Sequence, residues 1–85
     1  MPNYPLNPGD SHKFHDTEGG SDLVVANKSD ATGQYTISND DGPATQHSVA
    51  SGHHATYEVA YHQTATVTNT GTVQLIAEFP EQGRA

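Results

Sequence analysis

The 85-residue sequence contains no cysteine and no tryptophan. The absence of cysteine excludes disulfide bonds, zinc–thiolate sites and thiol nucleophiles, so the fold has to be held together by burial of apolar side chains. Hydrophobic residues make up only 32% of the chain, which is long enough for one small domain. A core this small favours self-association as an additional source of stability.

Basic residues and long apolar runs are also scarce. Three lysine and arginine residues stand against ten acidic residues, which gives a net charge of −7 with neutral histidine. Because neutralisation of phosphates supplies most nucleic-acid affinity, we expect no nucleic-acid partner and no membrane partner. The longest apolar runs, at 23–26 and 75–77, are far shorter than the ~20 residues of a spanning helix. The first residues do not resemble a signal peptide, so localisation stays open between cytoplasmic and extracellular or cell-surface with the signal removed.

Apolar residues recur with a period of two beyond residue 10, and no long stretch carries the 3.6-residue spacing of a helix. The predicted strands span residues 11–17, 22–28, 34–38, 44–49, 53–62, 64–70 and 72–79. Leu23–Ala26 is apolar at every position, which predicts a central strand, whereas the polar segment 44–49 predicts an edge strand. The fold class predicted is all-β: a small antiparallel β-sandwich, immunoglobulin-like or jelly-roll-like, of about six or seven strands.

The domain boundaries follow from composition. Residues 1–10 form a proline-containing N-terminal arm, since Pro2, Pro5 and Pro8 recur at the three-residue turn of a polyproline II helix. Such an arm either docks on a partner through Tyr4 and Leu6 or is a loosely ordered tail. Residues 11–80 form a single β-sandwich domain, and residues 81–85 are a polar tail.

One segment resembles a known class of domain. Residues 65–75 read Ala-Thr-Val-Thr-Asn-Thr-Gly-Thr-Val-Gln-Leu, with threonine-rich strands on either side of Asn69-Thr70-Gly71. This segment resembles the closing hairpin of many bacterial immunoglobulin-like surface modules. The resemblance implies an immunoglobulin-like architecture without the cysteine pair and buried tryptophan of antibody-type domains.

The six histidines are candidate ligands for a transition metal. Residues on one strand are too far apart to form a site, so several strands have to contribute. The predicted cluster combines His47 with His54 across the turn at 50–52, joined by His12 or His15. The alternative is that these side chains are solvated surface groups.

Two acidic loops are candidates for calcium. The candidate oxygen ligands are Asp16, Glu18 and Asp22 in the first loop and Asn39, Asp40 and Asp41 in the second. Neither loop has the spacing of the helix-flanked calcium motif, and solvated turns are the alternative. We therefore expect no obligatory cofactor, with calcium or a transition metal as the alternative.

A hydrolase is the third alternative, and the composition argues against it. Its candidate groups are Ser48, Ser51, His53, His54 and Asp40, or the carboxylates of Glu58 and Glu78. The sequence has no Gly-x-Ser-x-Gly elbow, and a chain of this size offers little room for a substrate cleft. We predict that the protein is not an enzyme.

The predicted function is therefore a non-enzymatic binding or assembly module that acts through a sheet face or edge in protein–protein association. The candidate contact residues are Thr64, Thr66, Thr68 and Ile76, with Tyr4 and Leu6 for docking of the arm. The threonines alternate with inward residues, and Ile76 is an outward apolar residue on the neighbouring predicted strand. The predicted partner is protein, in a homo-oligomer. A lectin-like domain that binds carbohydrate or metal through acidic loops and histidines remains the alternative.

Overall fold

The computed structural model describes residues 2–40 and 42–82, which form eight β-strands. The strands are β1 (Asn3–Leu6), β2 (Ser11–His15), β3 (Ser21–Ala26), β4 (Gly33–Asn39), β5 (Thr45–Val49), β6 (His54–Val59), β7 (Thr64–Asn69) and β8 (Leu75–Glu78). They make two antiparallel four-stranded sheets, in the orders β1-β8-β3-β6 and β2-β7-β4-β5, which pack against each other. In this described part of the chain no helix is long and apolar enough to cross a membrane.

The all-β sandwich is confirmed, but the predicted count of six or seven strands is wrong because residues 3–6 form an additional strand. In β1, Tyr4 lies opposite Ala77 and Leu6 lies opposite Leu75 of β8. Pro5 is compatible with this pairing because β1 is an edge strand, where a missing N–H group is tolerated.

The predicted strand positions hold for the clearest cases. β3 is a central strand, as its apolar residues at every position predict, and the polar strand β5 lies at an edge. The alternation in β6 holds up to Val59, which is buried. The strand predicted for residues 53–62 ends at Val59, so Tyr61 lies beyond it and is 62% exposed.

Most connections cross from one sheet to the other. β7 and β8 belong to different sheets, so the closing hairpin expected at residues 65–75 is wrong. β5 and β6 are likewise in different sheets, whereas β4 and β5 are consecutive strands that pair. A period-two pattern shows which side chains point inward, but it does not show which strands pair.

The core consists of the inward side chains of both sheets. Its buried hydrophobic members are Leu6, Phe14, Leu23, Val25, Tyr35, Ile37, Val49, Val59, Ala65, Val67, Leu75, Ala77 and Phe79. Two buried asparagines hold the crossings at the ends of strands. Asn69 Nδ2 donates to the carbonyl oxygens of Leu6 and Val73, each at 2.8 Å, and Asn27 Nδ2 donates to that of Val49 at 3.0 Å. Asn69 thereby joins the end of β7 in one sheet to β1 in the other.

Candidate functional site

The outer side of the β1-β8-β3-β6 sheet carries apolar side chains. Because Leu23 and Val25 of β3 point into the core, the alternate residues Val24 and Ala26 point outward. Ile76 of β8 lies opposite Ala26, and Pro5 of β1 lies opposite Ile76. We call the four outward residues Pro5, Val24, Ala26 and Ile76 the apolar face.

A shallow groove of about 390 Å³ lies on the apolar face. Its lining residues are Val24, Ala26, Asn27, Lys28, Gly52, His53, His54 and Glu78. Lys28 follows Ala26 at the next outward position along the chain, so one end of the apolar face carries a lysine and two histidines. Its aliphatic part consists of Val24 and of Ala26, which is only 7% exposed, and polar side chains surround it, including Glu78, which pairs with Val24 from β8. Aliphatic groups bordered by polar ones are the usual make-up of a surface that binds a partner.

The opposite end of the apolar face is acidic. Asp22 of β3 and Glu58 of β6 are directly opposite each other in the ladder, and both are exposed on the outer side. Like charges at opposed positions of two strands destabilise the pairing. The face is therefore polarised along β3, with Lys28 beyond one end and two carboxylates at the other.

The outer side of the second sheet is chemically different. Its outward residues on the central strands β7 and β4 are Thr64, Thr66, Thr68, Gln34, Thr36 and Ser38, and β2 adds Ser11, Lys13 and His15. We call this surface the hydroxyl face. Thr68 Oγ1 lies 2.6 Å from Ser11 Oγ, so neighbouring hydroxyls hydrogen-bond across the strands.

The predicted contact residues do not form one surface. The outward orientation of the three threonines is confirmed, but they lie on the hydroxyl face while Ile76 lies on the apolar face, on the other side of the sandwich. Leu6 is only 3% exposed, and its side chain belongs to the core. Tyr4 packs against its own domain, with its ring centroid 4.7 Å from that of His12 and 5.2 Å from that of Phe14.

The four predicted metal ligands are separated by the fold. His12 packs on Tyr4, and His15 lies on the hydroxyl face with Nδ1 at 2.7 Å from Thr64 Oγ1. His47 lies between the sheets and His54 points outward from the other sheet, so the structure does not bring these two side chains together across the turn at 50–52. Among residues 2–40 and 42–82 no group of three or more His, Cys, Asp or Glu side chains is placed to hold a metal ion. Metal binding by these histidines stays a prediction.

His47 belongs to an aromatic cluster at the edge where β5 faces β6. Its ring stacks on Tyr35 at 5.6 Å and meets Tyr57 edge-on at 5.4 Å. The hydroxyl oxygens of the two tyrosines are 2.6 Å apart. Burial of the Tyr35 phenol and its hydrogen bond to Tyr57 raise the pKa of Tyr35, so its phenol stays protonated. The pair of hydroxyls joins the two sheets.

Two of the candidate groups for hydrolysis, Asp40 and Ser51, lie far apart. Asp40 Oδ1 accepts a hydrogen bond from the backbone N–H of Thr64, just after the end of β4. Ser51 Oγ donates to the carbonyl oxygen of Ser29, near the start of the same strand. The length of β4 separates these two groups.

The first acidic loop is organised by a buried carboxylate. Asp16 Oδ2 accepts the backbone N–H groups of Gly19 and Gly20 at 3.0 and 2.9 Å, and Asp16 Oδ1 accepts the hydroxyl of Ser21. Burial acts to raise the pKa of Asp16, but these hydrogen bonds outweigh it, so the pKa is lowered overall. The carboxylate is thus engaged in holding the β2–β3 loop. In the second loop, Asp41 lies outside the described residues.

The lowered pKa of Asp16 predicts a specific loss of stability in acid. A carboxylate whose folded pKa is below its unfolded pKa contributes stability that is present above about pH 4 and disappears as the pH falls further. We expect the Asp16→Asn variant to be less stable than the wild type at pH 7 and to lose less additional stability between pH 5 and pH 2.5. Urea midpoints at each pH measure this. The control Asp30→Asn removes the same charge at an exposed position, and a pH slope for Asp16→Asn equal to that of the wild type would contradict the prediction.

Comparisons of the chain with protein-family models, with curated proteins and with solved structures give no match. Sequence reasoning identified Ile76 but missed its neighbours Val24, Ala26 and Lys28. Leu23–Ala26 did contain the signal, because an apolar residue at every position of a strand leaves alternate side chains on the outer side unless a further layer covers them.

Proposed function

We propose that this chain is a non-enzymatic module that works in protein–protein association, with the apolar face as its contact surface. The observation that carries this proposal is the position of Val24 and Ile76 on the outward side of the two central strands of their sheet. Within residues 2–40 and 42–82 no further strand lies over them. Apolar residues that are contiguous on a sheet surface are characteristic of sites where another protein binds.

The hydroxyl face provides an internal comparison. Its central positions carry threonine and serine, which are ordinary solvent-facing residues of strands. Both outer faces belong to sheets of four strands in the same small domain. This difference in composition supports the apolar face, and not the hydroxyl face, as the surface that another protein covers when it binds.

The order of the strands supports a jelly roll as the specific form of the sandwich. Eight strands in the orders β1-β8-β3-β6 and β2-β7-β4-β5, with nearly every connection crossing between the sheets, match the double-sheet arrangement of that fold. Jelly rolls occur in viral capsid and lectin domains, where the sandwich serves assembly or binding. The fold agrees with a role in assembly but does not by itself identify a contact surface, which is indicated by Val24 and Ile76.

The proposal predicts that a charge on the apolar face abolishes association. Ile76 and Thr68 are both half-buried residues on central strands, one in each sheet, so Ile76→Lys and Thr68→Lys form a matched pair with the same change in net charge. We expect the wild type and Thr68→Lys to gain mass with concentration from roughly 10 µM to roughly 1 mM. Ile76→Lys should remain at the monomer mass of 9.0 kDa.

Sedimentation velocity measures the mass, and far-UV circular dichroism checks that both variants are folded. Association of Ile76→Lys at the wild-type strength, or equal loss in both variants, would show that the apolar face is not the contact surface. A wild type that remains monomeric up to the highest concentration would contradict homo-oligomer formation itself.

A further inference from the structure

The charges at the two ends of the apolar face are placed symmetrically. Asp22 and Lys28 each lie three residues from Val25, on the same side of the chain as Val24 and Ala26. At ~3.3 Å per residue of strand, Asp22 is about 10 Å from the level of Val25, and Lys28 lies two residues beyond the opposite end of β3. A surface with opposite charges at equal distances from its midpoint is complementary to itself when it is turned end for end.

We infer that the partner of the apolar face is a second copy of this chain, with β3 of one copy antiparallel to β3 of the other. This inference rests on the proposed function and adds the identity and orientation of the partner. A two-fold axis that runs across the strands at the level of Val25 places Lys28 of each copy against Asp22 of the other. It also places Val24 of one copy against Ala26 of the other, and Glu78, which pairs with Val24, against Ile76 of the other.

The opposite orientation is electrostatically unfavourable. With the strands parallel, Lys28 would meet Lys28 of the second copy, and Asp22 would meet Asp22. Juxtaposed like charges suppress an incorrect pairing more effectively than surface ion pairs strengthen a correct one. The charge pattern therefore favours the antiparallel arrangement.

Association in this arrangement also reduces the repulsion between Asp22 and Glu58 within each chain. Asp22 and Glu58 lie opposite each other in the ladder of β3 and β6. Lys28 of the same chain lies at the other end of β3, in the lining of the groove, and does not offset their charge. In the antiparallel dimer, Lys28 and His53 of the second copy would approach the Asp22–Glu58 pair. The pair of carboxylates that destabilises the isolated strand pairing then becomes a part of the interface.

The size of the surface sets the expected strength. Four strands about 4.8 Å apart, two of them six and two of them four residues long, cover roughly 300 Å² on each copy. The total of about 600 Å² is below the usual size of a stable interface, so the dimer is expected to be weak and to form in the upper micromolar range or above.

Charge reversal tests the orientation. Lys28→Glu and Asp22→Lys each replace both inter-copy attractions by repulsions, and we expect each to raise the dimer dissociation constant about five- to tenfold. The double variant D22K/K28E exchanges the two charges, keeps the net charge of −7 and should return to the wild-type constant. Asp22→Lys is the sharpest case, because it lowers the net negative charge and would strengthen association if general repulsion were decisive.

Sedimentation equilibrium at low ionic strength measures the constants, since salt screens exposed pairs. Lys13→Glu changes the net charge as Lys28→Glu does but lies on the hydroxyl face, so it controls for general repulsion. Association of Asp22→Lys at or above the wild-type strength, or a double variant as weak as the single variants, would overturn the antiparallel arrangement even if Ile76→Lys still abolishes association. Unchanged association of Ile76→Lys would instead contradict the proposed contact surface.

Discussion

Replacement of Asn69 by alanine is expected to lower the free energy of unfolding by about 2–4 kcal/mol. Asn69 is fully buried, and its amide nitrogen is hydrogen-bonded to the carbonyl oxygens of Leu6 and Val73 while its oxygen accepts the N–H of Gly71. The variant would leave these backbone groups buried or half-buried without a partner. Because the contact with Leu6 joins the two sheets, the loss falls on the packing of the whole sandwich and is not confined to one turn.

Thermal and urea unfolding measure this effect. For a domain of this size the loss corresponds to a fall in melting temperature of about 10–25 °C. Thr72→Ala, an exposed position in the same connection, is the control and should remain within about 0.5 kcal/mol of the wild type. A loss below about 1 kcal/mol for Asn69→Ala would show that water or a shifted backbone satisfies the exposed groups.

The alternation of apolar residues was sufficient to predict most of the secondary structure. Seven of the eight strands were placed from sequence, and β3 and β5 were correctly assigned to a central and an edge position. The missing strand is β1, because proline at every third residue of the arm favours polyproline II when the segment is considered alone. Its pairing with β8 depends on residues about 70 positions away, which local propensity does not contain.

The pairing of the strands was the part that sequence reasoning did not resolve. Asn69-Thr70-Gly71 has the composition of a hairpin turn, and that composition is equally suitable for a connection between sheets. The distinction lies in the side chain of Asn69, which reaches Leu6 in the other sheet. A tertiary contact of this kind decides the direction of the chain after the turn.

The same limit explains the outcome for the candidate site. The outward orientation of Ile76 and of the threonines follows from alternation, and it is correct for all of them. Their expected proximity depended on β7 and β8 being neighbours in one sheet, and those strands lie in different sheets. Candidate sites assembled from several strands therefore need the topology, whereas the chemical character of each face can be derived from the sequence.

Buried polar side chains hold the backbone at several of the connections that cross from one sheet to the other. Asp16 binds the backbone of the β2–β3 loop, Asn27 accepts the N–H of Ser29 after β3, and Asn69 accepts the N–H of Gly71 after β7. A chain without disulfide bonds has no covalent restraint on these connections. Buried hydrogen bonds to the backbone provide that restraint, and they leave the outer faces of the sheets free for contacts with other molecules.

Replacement of Gly33 by alanine is expected to lower the free energy of unfolding by about 1–3 kcal/mol, because the packing around this glycine leaves no room for a Cβ atom. Its φ is not positive, so an L-residue can adopt the backbone conformation. A Cβ atom at position 33 would lie 2.6 Å from Leu75 Cδ2 and 3.4 Å from Asn27 Nδ2. Neither neighbour moves freely, since Leu75 is fully buried and the Asn27 amide is bound to Ala31 and Val49.

A double-mutant cycle isolates this contact between the two sheets. Leu75→Val removes the methyl group that the new Cβ atom would meet and is expected to cost about 1 kcal/mol by itself. The double variant G33A/L75V should therefore lose less stability than the sum of the two single variants, by at least about 0.5 kcal/mol in urea unfolding. Strict additivity would mean that the cost of Gly33→Ala does not come from the contact with Leu75. The Asn27 amide would then be the remaining neighbour that the new Cβ atom disturbs. Since Gly33 begins β4 in one sheet and Leu75 begins β8 in the other, a positive result would establish that the closeness of the two sheets at this end depends on the absence of a single methyl group.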